Sequence, residues 1–500
     1  MSTKLTASQL FKRVSGYSSA DCYARPASEV YAGAIRLESG FYGSEGYRAV
    51  RAMKKSGFQL GTVGQFAAVR WFGPFARTYV ADHTAGVAFL SSADMMCAKL
   101  EPKNYLSKAL TQNLERLLVS DETILISCSG TIGNVVICSK DYNGVAVSQH
   151  AIRVSVLDKD DMGFLYAFLQ SEPGQFLVTR NKSGSVIESI YEADVSSLAI
   201  PILPKKLRHE LTRLIREAKS LRVKANKLLG EAEAEVKTSC NLPDLEDLKP
   251  DNLIANDGEA TTFICSSAQR LAMNGQFGTL RMDATYHDPT ACALSKHILS
   301  QTTGTTLGKI LHEVRRSSLR QRYYVDTASQ GVPIIGGKQL MQLRPNEIKF
   351  LSKTLTRNIK AEKVEKNWVL VSCGGTIGRA LLVHRNYEGW CASEHVMRLV
   401  PDQTKIFPGF LYAFLSSPYG EVQIDAQTHG SVIIQIRDFE FETIAIPLPK
   451  DRGESIHNKV IQAFDARADA RLAEDKAIEL FMSAIRDGKD AVESSWGRDY

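Results

Sequence analysis

Apolar positions recur along the chain in two rhythms. Leu207, Leu211, Leu214, Ala218, Leu221, Ala225, Leu228 and Ala232 stand alternately four and three residues apart, which is a heptad seam. The spacing predicts one long helix from about Lys205 to Val236, roughly 50 Å at 1.5 Å per residue. Small Ala alternating with Leu predicts close approach to a partner helix. A less regular run of the same kind covers 452–486, with Ile456, Val460, Ile461, Phe464, Ala468, Leu472, Ile478, Phe481 and Ile485. Two such helices most simply pair with each other. The second rhythm is short. Thr123-Ile124-Leu125-Ile126 and Asn134-Val135-Val136-Ile137 flank Ser127-Cys128-Ser129-Gly130-Thr131-Ile132-Gly133. Apolar flanks around glycines predict strand, tight turn, strand, because glycine supplies the positive φ the turn needs.

That stretch is written twice. Ser372-Cys373-Gly374-Gly375-Thr376-Ile377-Gly378 lies 245 positions further on, between Trp368–Val371 and Arg379–Val383. The neighbours repeat in step. Gly144–Arg153 faces Gly389–Arg398, pairing His150 with His395, and Gly163-Phe164-Leu165-Tyr166-Ala167-Phe168-Leu169 returns unchanged as Gly409–Leu415. Gly184-Ser185-Val186-Ile187 matches Gly430-Ser431-Val432-Ile433, and Ala199-Ile200-Pro201 matches Ala445-Ile446-Pro447. Upstream the echo is fainter: Arg36 with Arg281, Arg77 and Tyr79 with Arg322 and Tyr324, Leu106-Ser107-Lys108 with Leu351-Ser352-Lys353. Many blocks at one offset mean a duplicated module of about 245 residues, far longer than the roughly 20–50 of a solenoid unit.

The repeated heptapeptide is apolar on nearly all faces and predicts a buried helix. Prolines at 201, 204, 447 and 449 predict hard boundaries ahead of the two long helices. The expected layout is a module at 1–203, a helix at 204–238 and an acidic, turn-rich linker at 239–260. A second module at 261–448, a second helix at 449–487 and a frayed tail at 488–500 complete it.

Composition adds limits. With 44% hydrophobic and 23% charged residues over 500 positions, the chain can fill two or three cores. No apolar run approaches a membrane span, and the start lacks the apolar stretch of a signal peptide. Nine cysteines, none in a CxxC pair and several within apolar runs, predict reduced thiols and a cytoplasmic location. A net charge of +6 permits a polyanionic partner without requiring one.

The front of each copy interleaves basic and aromatic residues. The first holds Tyr42, Tyr47, Arg48, Arg51, Lys54, Lys55, Arg70, Trp71 and Arg77; the second holds Arg281, Tyr286, His287, Lys309, His312, Arg315, Arg316, Arg320, Arg322, Tyr323 and Tyr324, with Lys338 beyond. Similar chemistry in different letters suits two readers of different targets, although a solvated basic face over core aromatics would look the same. No catalytic set emerges. Gly304–Ile310 has three residues between glycines where a phosphate loop needs four, and Ile where Ser or Thr must meet magnesium. Asp244 and Asp247-Leu248-Lys249 are too cramped for a nuclease cluster, and His287-Asp288-Pro289-Thr290 is not an adenine-methyltransferase motif. His150 and His395 come without a nucleophile, a carboxylate dyad or metal-ligand spacing, so each is read as satisfying a turn or a nearby carbonyl.

The glycine turns Gly130–Gly133 and Gly375–Gly378, the helices carrying Phe164-Leu165-Tyr166 and Phe410-Leu411-Tyr412, the proline ends and the two long helices occur in duplicated order over about residues 20–486. In this the chain resembles the DNA specificity (S) subunits of type I restriction-modification systems. The resemblance implies an α+β chain of two duplicated α/β target recognition domains separated by two long antiparallel coiled-coil helices. It implies that each domain reads one half of a split, asymmetric double-stranded DNA target. The helices would act as a ruler and dock methyltransferase subunits, two of them, with translocase-nuclease subunits joining the complex. No catalysis, cofactor, metal or membrane is expected of the chain itself; S-adenosylmethionine and ATP would sit on partner subunits. Two other readings stay open: a DNA-modifying enzyme with an unrecognised motif, and a helical scaffold that binds protein. The first predicts cofactor binding by the isolated chain, the second DNA affinity without sequence preference or steep salt dependence.

Overall fold

A computed structural model describes residues 45–180, 189–248, 281, 283–317, 321–430 and 433–497. Arg36, Tyr42, the 184–187 turn, Arg320, the linker beyond 248 and the chain from there to 280 lie outside the described residues, as do 431–432 and 498–500. The chain forms two units. One comprises Met1–Ser92, Lys103–Glu217 and Ala473–Tyr500; the other comprises Ala93–Pro102 and Ala218–Leu472.

The first unit begins with helix α1 (Glu45–Lys55), which buries Val50 and Met53. Strands β1 (Leu60–Thr62), β2 (Ala67–Arg70), β3 (Tyr79–Val80), β4 (Gly86–Leu90) and β5 (Asn104–Ser107) follow, then β6 (Ile124–Ser127), β7 (Val135–Ile137), β8 (Ala146–Val147) and β9 (Ala151–Val156). They build two four-stranded sheets, ordered β2-β9-β6-β7 and β3-β5-β4-β8. Helix α2 (Met162–Gln170) is buried from Met162 to Leu169, as its all-round apolar pattern predicts, and α3 (Glu172–Arg180) packs beside it. Phe164, Leu165, Phe168 and Leu169 have no exposed surface, and each such side chain contributes roughly 1.5–3 kcal/mol of burial. Strand β10 (Ala199–Pro201) closes the module by pairing with β1.

The first long helix, α4 (Lys205–Ser239), comes next. In the second unit α5 (Pro289–Ser300) precedes β11 (Gly304–Thr306), β12 (Leu311–Arg315), β13 (Tyr324–Val325), β14 (Gly331–Ile335), β15 (Lys349–Ser352), β16 (Val369–Ser372), β17 (Ala380–Leu382), β18 (Cys391–Ala392) and β19 (Val396–Pro401). Helices α6 (Pro408–Leu415) and α7 (Pro418–Gln427) and strand β20 (Ala445–Pro447) lead to the second long helix, α8 (Glu454–Asp487). The sheet orders are β12-β19-β16-β17, β13-β15-β14-β18 and β11-β20, the same topology as in the first unit. Even the one parallel pair recurs, β4 with β8 and β14 with β18.

The glycine turn has one construction in both copies. The Ser127 carbonyl accepts from the Gly133 amide at 3.0 Å, and its hydroxyl accepts from the Asn134 amide at 2.9 Å. Ser372 does the same for Gly378 at 3.0 Å and Arg379 at 2.9 Å. Gly130, Gly133, Gly375 and Gly378 all have φ between +72° and +91°, where a side chain would be strained.

The long helices pair antiparallel. In the first unit Leu207, Leu211, Leu214 and Ile215 share a core with Ala477, Phe481, Ala484 and Ile485. In the second, Ala225, Leu229, Ala232 and Val236 share one with Ile456, Val460, Ala463 and Phe464. Three sequence expectations are corrected. Leu472 is 60% exposed, and buried alanines (Ala463, Ala466, Ala470, Ala473, Ala477) carry much of the second seam. Leu229 is buried where Leu228 was expected, with Leu228 and Leu221 half-buried against the same core, because a straight helix drifts from a strict heptad. The frayed tail is instead helix α9 (Lys489–Trp496), which buries Val492 against the first unit and is tied by the Lys489 amide to the Ser56 carbonyl at 2.8 Å.

The unit boundaries also fall inside α4 and α8, not at the prolines, because both helices spend their sides on the module cores. Within the second unit the segment 93–102 pairs with 338–347. Ala98 donates to the Met341 carbonyl at 2.7 Å and Leu343 to the Met96 carbonyl at 2.9 Å, around a Cys97–Gln342 bridge. Met96, Cys97 and Ala98 are the 245-residue counterparts of Met341, Gln342 and Leu343.

Candidate nucleic-acid interface

In the first unit the Cys128 amide, on the glycine turn, donates to the His150 carbonyl at 2.9 Å and so fixes the approach to β9 beside the turn. Three sequence candidates meet here. The Trp71 indole donates to the Gln149 carbonyl at 2.7 Å, and Tyr191 lies edge-on to Trp71 at 5.2 Å. Arg77 donates to Gln149 Oε1 at 2.6 Å and lies over the rings of Phe89 and Phe75 at 5.3 and 5.7 Å. Arginine has no acceptor, so the Gln149 amide nitrogen must be the atom 3.3 Å from His150 Nε2. That leaves Nε2 unprotonated and puts the ring proton on Nδ1, which donates to the Ser129 hydroxyl. The imidazole therefore does not act as a base towards Ser129, and the Ser–His contact is a positioning bond.

The second unit repeats the frame with altered charge. Arg322 stands where Arg77 stands, Glu394 replaces Gln149, His395 replaces His150 and Gly374 replaces Ser129. Arg322 is ion-paired with Glu394, whose other oxygen lies 3.4 Å from His395 Nε2, and the Cys373 amide holds the His395 carbonyl at 2.8 Å. With glycine at 374 no hydroxyl among the described residues partners the ring, so the Ser129–His150 contact has no equivalent at 374 and 395.

The remaining candidates are dispersed. Arg48, Lys54 and Lys55 are exposed and Arg51 half-buried on α1. Arg70 sits at the end of β2, directly opposite Arg153 of β9. Arg315 ends β12 opposite Arg398 and pairs with Glu313 at 3.2 Å; Arg316 is half-buried beside it. Tyr323 and Tyr324 are exposed, and Arg322 reaches the Tyr324 hydroxyl at 3.4 Å. Lys338 is paired with Glu347 at 2.8 Å on the surface. The seam residues Leu207, Leu211 and Leu214 are buried within the first unit, with Ala218 and Ala225 buried in the second.

Sequence reasoning passed over Gln149 and Glu394, which immediately precede the two histidines, and the buried arginines Arg153 and Arg398. An arginine inside the apolar strands Ala151–Val156 and Val396–Pro401 was the available signal. Arg153 donates to the carbonyls of Ala151, Leu117 and Val147 at 3.1, 3.2 and 2.5 Å, while Arg398 pairs with the buried Glu362.

Burial pushes the thiols of Cys97, Cys128, Cys240, Cys373 and Cys391 up to about 11 and makes them poor nucleophiles. Among the described residues no group of three His, Cys, Asp or Glu is placed to hold a metal ion, and no helix is long and apolar enough to cross a membrane.

The profile of the type I restriction modification DNA specificity domain matches residues 97–210 and 308–480. No curated protein matches the chain. Among solved structures, the type I restriction-modification S subunit from M. genitalium is similar at 12% identity and a TM-score of 0.31, over 86% of this chain and 95% of that one. The HsdS subunit from Thermoanaerobacter tengcongensis is similar at 14% identity and a TM-score of 0.26, over 89% and 97%. A third structure, titled for the complex assembly and conformational transition of the type I R-M system, aligns at 13% identity and a TM-score of 0.26, over 87% and 97%. These scores are too low to carry weight, and the profile match, which spans more than half of the chain in two segments at the two modules, decides the assignment. The chain belongs to the type I restriction-modification DNA specificity family.

Proposed function

We propose that each unit reads one half of a bipartite, asymmetric DNA sequence and that the chain performs no chemistry of its own. The observation that carries this is the paired face: Arg77, Gln149 and His150 on one scaffold, Arg322, Glu394 and His395 on its copy. The same turn and strands present two different sets of donors and acceptors, as two half-sites of different sequence require. Trp71, Arg77, Arg316, Arg322 and Tyr323 are the proposed base-edge and stacking contacts. Arg48, Arg51, Lys54, Lys55, Arg70, Arg320 and Lys338 are the proposed phosphate contacts, which set position and affinity rather than sequence, while Arg315 is held by Glu313. The paired helices α4 and α8 fix the separation of the half-sites and dock two methyltransferase subunits, through which translocase-nuclease subunits join. S-adenosylmethionine and ATP belong to those partners, and the complex works in the cytoplasm. The test is a map of methylated bases in host DNA with this chain intact and deleted. A bipartite motif lost on deletion is the expected result. An unchanged map, with the partner methyltransferase expressed and active, overturns the reading.

A further inference from the structure

Because the chain is duplicated, each position of one unit has a control in the other. On that comparison the β2–β9 end of the first unit stands out. Arg70 and Arg153 face each other across the two strands, as Arg315 and Arg398 do in the second unit. Two guanidinium groups directly opposite repel. The second unit answers with two carboxylates. Glu313 pairs with Arg315 at 3.2 Å, and Glu362, also held by the Ser317 hydroxyl at 2.8 Å, pairs with Arg398. Trp368 closes the space, its ring 5.9 Å from the Arg315 guanidinium.

In the first unit all three of these side chains are absent. Ala68 stands for Glu313, Leu117 for Glu362 and Thr123 for Trp368, while Arg116 stands where the second unit has Ala361. What remains is an open groove of about 660 Å³, lined by Arg70, Phe72, Arg116, Thr123, Arg153 and the exposed Glu115. Three arginines face one glutamate. Arg153 is only 4% exposed, and no described carboxylate is ion-paired with it; backbone carbonyls and the Phe72 ring at 4.8 Å are its partners. Burial pushes its guanidinium down to about 10, still charged at neutral pH. A buried cation without a counter-charge is expensive, and a bound anion would relieve it.

We propose that this groove is a phosphate-binding site of the first unit alone, occupied by a backbone phosphate of the DNA that the unit reads. The inference rests on the DNA-reading proposal. It favours DNA over a free ion because Arg70 adjoins Trp71, whose indole anchors the Arg77–Gln149–His150 face, and because the groove is larger than one phosphate needs.

The test is the salt dependence of full-chain binding to a mixed-sequence duplex. Each phosphate contact contributes about 0.9 to the slope of log K against log salt. The triple variant A68E/L117E/T123W, which installs the second unit's side chains, lowers the slope by about 1. A68E alone, on the sheet-edge strand β2, lowers it in the same direction should the triple variant not fold. A68Q leaves it unchanged, and so does Leu157→Glu, a charge placed at an exposed position of the same unit. A steep wild-type slope that neither A68E nor the triple variant alters overturns the groove and leaves the DNA reading standing. An equal drop in L157E reduces the effect to net charge and also overturns it. If inorganic phosphate raises the melting temperature of the wild type but not of A68E, with the DNA slope unmoved, the site takes a free anion and the DNA assignment is wrong. A wild type with no salt-dependent DNA binding removes the parent reading and the inference together.

Discussion

The two units share their glycine turn and buried helix and differ in the charges they carry, on one face and just beneath it. Ser127 and Ser372 build the same turn, and α2 and α6 bury the same heptapeptide. Gly163 and Gly409 both lie too close to the following long helix for a side chain: a Cβ would come within 2.3 Å of Thr212 and 2.7 Å of His457. At the proposed reading face a neutral Gln149 chain becomes a charged Glu394 pair, and beneath it an Arg153 with no described carboxylate partner becomes a neutralised Arg398. Where a Cβ has no room both copies keep glycine, whereas positions that carry charge differ between them.

The sharpest way to break that comparison is Glu362→Gln. It leaves Arg398, fully buried, facing a neutral amide, and should destabilise the second unit by about 3–5 kcal/mol. Urea unfolding followed by Trp368 and Trp390, with Trp71 and Trp496 changed to Phe, isolates that unit. An unchanged midpoint would show that Arg398 needs no carboxylate, and the contrast with Arg153 would vanish.

Next in size are Arg77 and Arg322, the proposed reading arginines. Arg77→Ala should weaken binding of the target duplex about tenfold, roughly 1.4 kcal/mol, and relax the sequence requirement in one half-site only. Arg322→Ala should cost less, because Glu394 already neutralises its partner. Glu394→Gln makes the second face resemble the first and should raise affinity with a salt slope steeper by about 1, read by titration at several salt concentrations. Equal losses for both alanine variants would mean the charge difference has no bearing on reading.

The smallest expected effect is on pH. Burial lowers the pKa of His384 and His457 below the ordinary 6.5; His457 stays neutral to accept the Gly409 amide at 3.0 Å. Their unfolded forms take up protons first, so stability is lost as pH falls through 6.5 towards the folded values. The first unit has Ser139 in place of His384, and Thr212 takes the Gly163 amide at 3.0 Å as His457 takes the Gly409 amide. Its midpoint should hold steadier than the second unit's between about pH 7.5 and 5.5, the first unit read with Trp368 and Trp390 changed to Phe and the second with Trp71 and Trp496 changed to Phe. Equal acid sensitivity would discount the two histidines.

Much of this architecture was legible in the letters. The duplicated turn and heptapeptide are local patterns whose repetition at one offset exposes the modules, and the Leu207–Leu214 half of the first seam needs only periodicity. The second seam was misread at Leu472 because a stripe of small alanines carries it, and alanine gives little contrast in an apolar pattern. Arg77 and Trp71 were singled out by residue type, but their partner Gln149 lies about 70 residues away in sequence, joined only when β9 forms. Arg153 and Arg398 were visible as repeats. Their difference depends on Leu117 against Glu362, a pair that means nothing until the strand brings it beside the guanidinium.

Both long helices change allegiance part-way, at Glu217–Ala218 and at Leu472–Ala473. Recombination between relatives meets a consequence there. A crossover at the prolines, where the letters announce a module's end, would hand Leu207, Leu211 and Leu214 to a foreign core and strip Phe481 from its own. A crossover within the helices, with a matching exchange of 93–102, keeps each packed body whole. New specificities made by shuffling would therefore carry their joints inside the two long helices.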